Sequence, residues 1–190
     1  MGALKYSTAD TLSAGQSVPQ DIHAIIEISA LSTPVKYEVD KASGRIAVDR
    51  FLEVSMQYPC NYGYIPATLG GDGDPLDILV VTPYPIQVGA MLRCRPIGML
   101  RMTDESGEDA KILAVPIHKL TLHYQHVQSP NDLPETLLKA LRHFFEHYKD
   151  LDAGKWVKLE PGWADTEAAH AEILSSIARY DAAHNSADAI

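Results

Sequence analysis

The sequence is poor in cysteine, in basic residues and in long apolar runs. Its two cysteines, Cys60 and Cys94, form no CxxC pair, which suits a reducing cytosol and argues against a disulfide scaffold or structural zinc. No apolar run approaches the roughly 20 residues of a membrane span, and the N-terminus lacks the core of a signal peptide. Lysine and arginine number 16 against 25 acidic residues, for a net charge of −9. Nonspecific binding to nucleic acid or to an anionic membrane is therefore not expected.

Length and composition predict one domain. The chain has 190 residues, of which 46% are hydrophobic, enough for a substantial core. It contains no internal repeat, low-complexity tract or linker. We expect a single domain over 1–190, in which 1–20 form an irregular or short helical lead-in and 181–190 a frayed tail.

The chain is organised around an acidic stretch, Asp72-Gly73-Asp74-Pro75-Leu76-Asp77, which runs directly into four apolar residues. The apolar run predicts a buried strand, so the acids are expected on a turn at the entry of that strand. Close carboxylates repel one another unless a cation offsets the repulsion, and magnesium takes oxygen ligands of this kind. An EF-hand loop starting at Asp72 is excluded, since its fifth and twelfth positions hold Leu76 and Pro83. An acidic surface turn without function is the alternative.

Most of the remaining pattern before residue 120 predicts strands. Residues 22–28 are strand-like, with Glu27 among isoleucines, and 34–51 alternate as a hairpin whose charged face is either solvated or lines a site. Residues 58–64 predict a loop whose tyrosines either anchor the core or donate hydrogen bonds to an anion. Further strands are expected at 91–102, where Pro96 and Gly98 indicate a bulge or an edge, and at 109–115, after a second acidic turn at 104–109.

Two helices are expected in the last third of the chain. The first follows a capping box with Asp132 as N-cap and Glu135 at N3. Its apolar residues keep helical spacing: Leu137, Leu138, Leu141, Phe144, Phe145 and Tyr148. A last strand is expected at 155–159 and a second helix from Ala164 to about Tyr180. His143 and His147 spell H-x-x-E-H, but zinc needs a third ligand downstream, so an interface or solvated role is preferred.

These motifs together resemble the soluble inorganic pyrophosphatases of family I, bacterial single-domain type. The resemblance runs from about Glu27 to the C-terminal helix, and its most specific piece is the acidic stretch, which fits the family signature of three aspartates around a proline. The supporting segments, weak singly, stand in the family's order: Lys36-Tyr37-Glu38, Val48-Asp49-Arg50-Phe51, Tyr58-Pro59-Cys60-Asn61-Tyr62-Gly63-Tyr64, Met102-Thr103-Asp104-Glu105, Glu108-Asp109-Ala110-Lys111 and His147-Tyr148-Lys149-Asp150.

The resemblance implies an α+β, mainly β fold, namely an OB-like five-stranded closed barrel with two C-terminal flanking helices. It also implies a cytoplasmic enzyme that uses several magnesium ions to hydrolyse pyrophosphate to two phosphates. Bacterial members are homohexamers, so we expect a hexamer here, with the helix face of His143 and His147 as a candidate subunit contact. Protonation of a buried neutral pair would weaken assembly as pH falls, whereas carboxylates of a neighbour facing the pair would reverse the sign.

The resemblance also assigns roles to individual residues. Asp74 is expected to be the general base that accepts a proton from a metal-activated water. Asp72, Asp77 and Asp109 are expected to hold a first magnesium, with Asp77 bridging to a second and Asp104 joining Asp109 at a further ion. The residues expected to contact phosphate oxygens are Lys36, Arg50, Tyr62, Tyr148 and Lys149. The other expected pocket residues are Glu27, Glu38, Tyr58 and Lys111.

Two functions of other classes stay open on the sequence. An OB-type oligonucleotide-binding module shares the barrel, but its grooves are basic and aromatic, whereas this chain is acidic. A magnesium-binding protein without turnover would keep the aspartates and would not need Arg50, Tyr62, Tyr148 or Lys149. Assays of nucleic-acid binding and of phosphate release separate these alternatives.

Overall fold

A computed structural model describes residues 12–40 and 43–187. The helices are α1 (Glu135–His147) and α2 (Thr166–Ala187), and a single 3-10 turn spans Pro130–Asp132. The strands, in chain order, are β1 (Gly15–Ser17), β2 (Asp21–Ile28), β3 (Val35–Asp40), β4 (Arg45–Phe51), β5 (Asn61–Tyr64), β6 (Asp77–Val80), β7 (Met91–Leu100), β8 (Met102–Asp104), β9 (Gly107–Glu108), β10 (Lys111–Pro116) and β11 (Val157–Leu159).

Five of the strands close into a barrel in the order β2-β5-β6-β10-β7, since β7 also pairs with β2. The pairings are antiparallel except between β6 and β10, which run parallel. In that parallel pair Lys111 lies opposite Asp77. The fold class predicted from the resemblance, a mainly β closed barrel with two C-terminal helices, is confirmed.

The apolar run after the acidic stretch is buried on both of its faces. Ile78 and Val80 belong to the core cluster that contacts α2 through Ala169 and Ile173. Leu79 and Val81 belong to the cluster that contacts α1 through Leu141, Phe144 and Phe145. Side chains alternate along a strand, so an uninterrupted apolar run is what a strand between two cores requires.

Two strand predictions need correction. The segment expected as a loop at 58–64 contains β5, where Gly63 permits a close approach of β2: a Cβ at this position would lie 1.8 Å from the carbonyl oxygen of Ile25. In β7 the expected bulge is present, because the register against β10 shifts between Gly98 and Pro96. The alternative of an edge strand is wrong, since β7 pairs with both β10 and β2.

The helix boundaries and the lead-in also differ from expectation. Helix α1 begins at Glu135 with Pro134 as N-cap, so the predicted Asp132 cap is wrong; Asp132 instead accepts hydrogen bonds from the amides of Gln128 and Ser129, both at 2.9 Å. Helix α2 continues to Ala187, so residues 181–187 are helical rather than a tail, and residues 15–17 form β1. The expectations for residues 1–11 and 188–190 lie outside the described residues.

Two small sheets complete the frame of the site. Strands β3 and β4 form the predicted hairpin, and β8 pairs with both β9 and β11. The second acidic turn is therefore a hairpin tip between β8 and β9. No helix of the described residues is long and apolar enough to cross a membrane.

Candidate active site

A cavity of about 410 Å³ opens where the two acidic turns meet the β3–β4 hairpin and the end of α1. All fourteen residues named from the resemblance contribute to its wall: Glu27, Lys36, Glu38, Arg50, Tyr58, Tyr62, Asp72, Asp74, Asp77, Asp104, Asp109, Lys111, Tyr148 and Lys149. The charged face of β3 therefore lines a site rather than bulk solvent.

Lys111 lies at the centre of the acidic wall. Its ammonium donates to Asp77 at 2.6 Å and to both oxygens of Asp109 at 2.9 Å, and the residue is 1% exposed. Burial lowers the pKa of Lys111, but the charges of Asp109 and Asp77 outweigh burial and raise it well above its usual value. Tyr62 also donates its hydroxyl to Asp77, at 2.5 Å. Asp77 is thus held by a cation and a phenol at the entry of β6.

The acidic turn is fixed by its own backbone. The amide of Asp74 donates to the Asp72 carboxylate at 3.0 Å, and the amide of Gly70 donates to the Asp74 carbonyl at 2.6 Å. Gly73 has φ +89°, which favours glycine. Burial raises the pKa of Asp72. The Asp74 side chain is exposed at the cavity, on a turn with little conformational freedom.

The second acidic turn meets the end of α1 through a lysine. Lys149 Nζ lies 2.6 Å from Asp104 and 3.2 Å from Glu105, and Lys155 lies 2.9 Å from Glu105. Burial raises the pKa of Glu105, but hydrogen bonds from Lys155 and Lys149 outweigh burial and bring it to about 2. Asp104 and Lys149 are both buried, so the ion pair fixes the position of each.

The β3–β4 hairpin supplies two cations to the cavity wall. Lys36 and Arg50 are register partners, so their side chains emerge side by side. Lys36 is paired with Glu38 and lies 3.4 Å from Asp49, while Arg50 Nε lies 3.8 Å from Asp152. Cations and carboxylates therefore line one cavity together.

The tyrosines of the 58–64 segment anchor the core and also reach the cavity, so the role as donors to an anion stays a prediction. Tyr58 is 2% exposed and its ring packs 4.4 Å from that of Phe144. Tyr62 packs against Tyr58 at 5.2 Å. Yet both rings reach the cavity wall. They anchor the core with their faces and present polar edges to the site.

Glu27 is a buried carboxyl at the floor of the cavity. It is 6% exposed and accepts a hydrogen bond from the amide of Val39 at 2.7 Å. Burial raises its pKa to about 8, although the Val39 bond lowers it. The group therefore binds a proton more tightly in the folded chain than in the unfolded chain.

This shift predicts a pH dependence of stability. A raised pKa in the folded state means that the contribution of Glu27 is fully present below its ordinary pKa of 4.5 and is lost as pH rises through about 8. Over that window the free energy of unfolding should fall by up to about 1.4 kcal/mol per pH unit from this group. Urea unfolding in EDTA at several pH values should show a steeper decline for wild type than for Glu27→Gln. Parallel curves would contradict the assignment.

The carboxylates of the cavity are of the chemical type that a hard divalent cation binds. Asp72, Asp77, Asp104 and Asp109 offer carboxylate oxygens on one wall, and magnesium prefers such ligands. Within residues 12–40 and 43–187 no three acidic, histidine or cysteine side chains are gathered closely enough to form a metal site. Lys111 occupies the position between Asp77 and Asp109 instead. The carboxylates thus already face a cation at the point where a metal is expected.

Several wall residues escaped the sequence interpretation. Tyr180, at the end of the predicted second helix, and His184, where a frayed tail was expected, reach the cavity from the last turns of α2, and their rings stack with centroids 3.9 Å apart. Lys155 and Glu105 also contribute. An exposed helix end carries no periodic signal that would place it at a barrel mouth. Glu105, beside Asp104 in a predicted acidic turn, could have been found by its position.

Comparison with known proteins identifies the family. The family model for inorganic pyrophosphatase matches residues 24–181. An inorganic pyrophosphatase from Yersinia pestis is 60% identical over 166 residues, which span 87% of this chain and 94% of that protein. The inorganic pyrophosphatase of Escherichia coli strain K12 is 59% identical over 166 residues, with the same 87% and 94% coverage. A solved inorganic pyrophosphatase from Coxiella burnetii has a TM-score of 0.85 at 51% identity and covers 89% of this chain and 99% of its own.

This barrel, with a cavity at one end that is lined by both negatively and positively charged side chains, thus belongs to a class of hydrolases that act on a small polyanion. More narrowly, the chain is a member of the inorganic pyrophosphatase family, as the resemblance of its motifs predicts.

Proposed function

We propose that this chain hydrolyses inorganic pyrophosphate to two phosphate ions with the help of several magnesium ions. The observation that carries the proposal is the meeting of four carboxylates with cations and phenols in one cavity. An acidic protein can accept an anionic substrate when its acids recruit metal and its basic wall contacts the substrate.

The cations and phenols that line the cavity would bind and orient the substrate. Lys36, Arg50 and Lys149 supply positive charge from the hairpin and from the end of α1. The hydroxyls of Tyr62 and Tyr148 supply donors without charge, and burial raises the pKa of both, so they stay protonated near neutral pH. Fixed donors aimed at phosphate oxygens stabilise the charge of the transition state.

The acidic wall would hold the metal and receive a proton. Asp72, Asp77, Asp104 and Asp109 would be the ligands, and bound magnesium would supply Lewis acidity that lowers the pKa of water and offsets substrate charge. Asp74, on the rigid turn between Asp72 and Asp77, would accept the proton of the attacking water. Lys111, bonded to both Asp77 and Asp109, would offset part of the negative charge of the two carboxylates.

A phosphate-release assay tests the proposal. We expect phosphate from pyrophosphate in magnesium, little in EDTA, and little from ATP or phosphomonoesters in either condition. Equal rates on ATP and pyrophosphate would contradict the substrate assignment. Magnesium binding without phosphate release would favour the metal-binding alternative, and salt-sensitive binding of oligonucleotides would favour the OB-type alternative.

We also infer a cytoplasmic homohexamer, on the resemblance to bacterial members. The candidate contact is the α1 face of His143 and His147, whose rings are 4.5 Å apart. Within this chain, the Asp150 carboxylate lies 2.8 Å from His147 Nδ1. The Asp150 carboxylate can offset the positive charge of a protonated His147 ring, whereas protonation of both histidines would place two positive charges side by side.

Assembly should therefore weaken as pH falls below neutrality. Light scattering after size exclusion, from mildly acidic to mildly alkaline pH, should show a loss of mass for wild type at low pH and none for the His143→Gln, His147→Gln double variant. A hexamer whose mass is indifferent to pH in both proteins would remove the histidines from the contact.

A further inference from the structure

The last turns of α2 hold the segment that leads into the acidic turn. Arg179 Nε donates to the carbonyl of Leu69 at 2.8 Å, and the amide of Leu69 donates to the carbonyl of Ser176 at 3.0 Å. Both backbone polar groups of Leu69 are thus bonded to one helix. Because α2 also packs on the barrel through Ala169 and Ile173, the position of Leu69 is tied to the core.

The guanidinium of Arg179 is itself fixed by several partners. Its Nη2 donates to Glu172 at 2.6 Å and to the hydroxyl of Ser176 at 2.8 Å, and its Nη1 donates to Ser175 at 2.8 Å. Ser176 is fully buried and donates in turn to Glu172 at 3.1 Å. A planar guanidinium with partners at Nε and at both terminal nitrogens has one orientation. Glu172 balances its charge, so the effect of Arg179 on its surroundings is chiefly positional.

The acidic turn is hydrogen-bonded to residues 68–70, the segment that Arg179 contacts through Leu69. The hydroxyl oxygen of Thr68, next to Leu69, accepts a hydrogen bond from the amide of Leu76 at 2.9 Å, and the amide of Gly70 donates a hydrogen bond to the Asp74 carbonyl at 2.6 Å. Both ends of the turn therefore depend on residues 68–70. Ala67, just before them, has φ +52°, a left-handed conformation that a non-glycine residue keeps only when its surroundings impose it.

Arg179 also borders the acids directly. A small cavity of about 70 Å³ is lined by Arg179 and Glu172 together with Asp72, Asp77 and Asp109. The same three aspartates line the main cavity. The three aspartates therefore lie between the two cavities. The main cavity holds the proposed site, and the small cavity is lined by the Arg179–Glu172 pair.

We propose that Arg179 is a positioning residue for the hydrolysis: through Leu69 it holds the turn that places Asp72 and Asp74 on the cavity wall. This inference rests on the proposed function, in which Asp72 ligates metal and Asp74 accepts a proton. Arg179 touches none of the reacting groups in this arrangement and acts through the backbone.

The test compares R179M with R142M. Arg142 on α1 donates to the carbonyl of Gly162 at 2.6 Å, so each variant loses an arginine–carbonyl bond, but only Arg179 adjoins the acidic turn. We expect R179M to lower kcat by about 10- to 100-fold, because small misplacements of reacting groups have effects of this size. Magnesium affinity by calorimetry, measured without substrate, should also fall in R179M. R142M should keep both wild-type values, although both variants lower the melting temperature.

A conservative variant separates positioning from general stability. R179K keeps the charge and one donor, so it should regain part of the kcat lost in R179M. If R179M cannot be obtained folded, R179K takes its place and should show smaller losses of the same kind. An R179M that matches R142M in both kcat and magnesium affinity, or an R179K that matches wild type where R179M is unfolded, overturns the inference. Failure of wild type to hydrolyse pyrophosphate would instead overturn the proposed function, and the calorimetric comparison would still test the placement of Asp72.

Discussion

Asp74→Asn is expected to lose most of the activity while keeping the fold and much of the metal binding. The Asp74 side chain is exposed, and the hydrogen bond to Asp72 that shapes the turn comes from the backbone amide of residue 74. Asparagine keeps that backbone amide, so the substitution leaves the turn intact. Loss of a general base typically lowers the rate by about 10²- to 10⁴-fold. The measurement is kcat for pyrophosphate beside calorimetric titration with magnesium.

Asp77→Asn is the matched comparison for that variant. Asp77 is held by Lys111 and Tyr62 at the entry of β6, and it is the proposed bridge between two ions. We expect it to weaken magnesium binding itself, with activity recovering in part at high magnesium. If titration shows the two variants equally deficient in metal, the division between base and ligand is wrong.

Lys111→Met is expected to give the largest change in stability. Lys111 is buried between Asp77 and Asp109, and removal of one partner from a buried ion pair is destabilising by about 3–5 kcal/mol, since the other charges are left uncompensated. Magnesium should then stabilise the variant more than it stabilises wild type, because the metal no longer competes with an ammonium. Urea unfolding with EDTA and with magnesium measures both effects.

Lys139→Met is the control for Lys111. Lys139 pairs with Glu135 at 2.7 Å on the exposed surface of α1, where solvent screens such pairs and they contribute little to stability. Its removal should leave the magnesium dependence of stability unchanged. A Lys111→Met protein that is no less stable than Lys139→Met, or that gains no more from magnesium than wild type does, would show that Lys111 does not occupy the metal position.

Much of the site was predictable because its residues are encoded in short segments. Asp72, Asp74 and Asp77 share one turn, and the apolar run after them marks the strand that carries it. The alternation of residues 34–51 predicts the hairpin, the family resemblance singles out Lys36 and Arg50 within it, and the structure places the two as register partners. The secondary structure of segments that combine a periodic pattern with distinctive charges can be predicted from the sequence alone.

The features that sequence reasoning missed depend on distant contacts. The strand at Asn61–Tyr64 lies in a segment rich in tyrosine and glycine, and only the approach of Ile25 explains why Gly63 is suitable there. The cap of α1 was misplaced because Asp132 completes a turn with Ser129 instead. Residues 181–190 were expected to fray, yet α2 continues to Ala187 and His184 lines the cavity. Tertiary contacts of this kind override local propensity.

The contacts between residues far apart in the sequence have a consequence for folding kinetics. Lys111 and Asp77 are 34 positions apart, Lys149 and Asp104 are 45 apart, and Arg93 and Asp21, across the β2–β7 closure, are 72 apart. Such contacts stabilise the chain only after long loops have closed, so proteins dominated by them fold more slowly than helical ones. The carboxylates and the cations that balance them come together only at closure. During refolding, therefore, helical signal should appear early and magnesium affinity last.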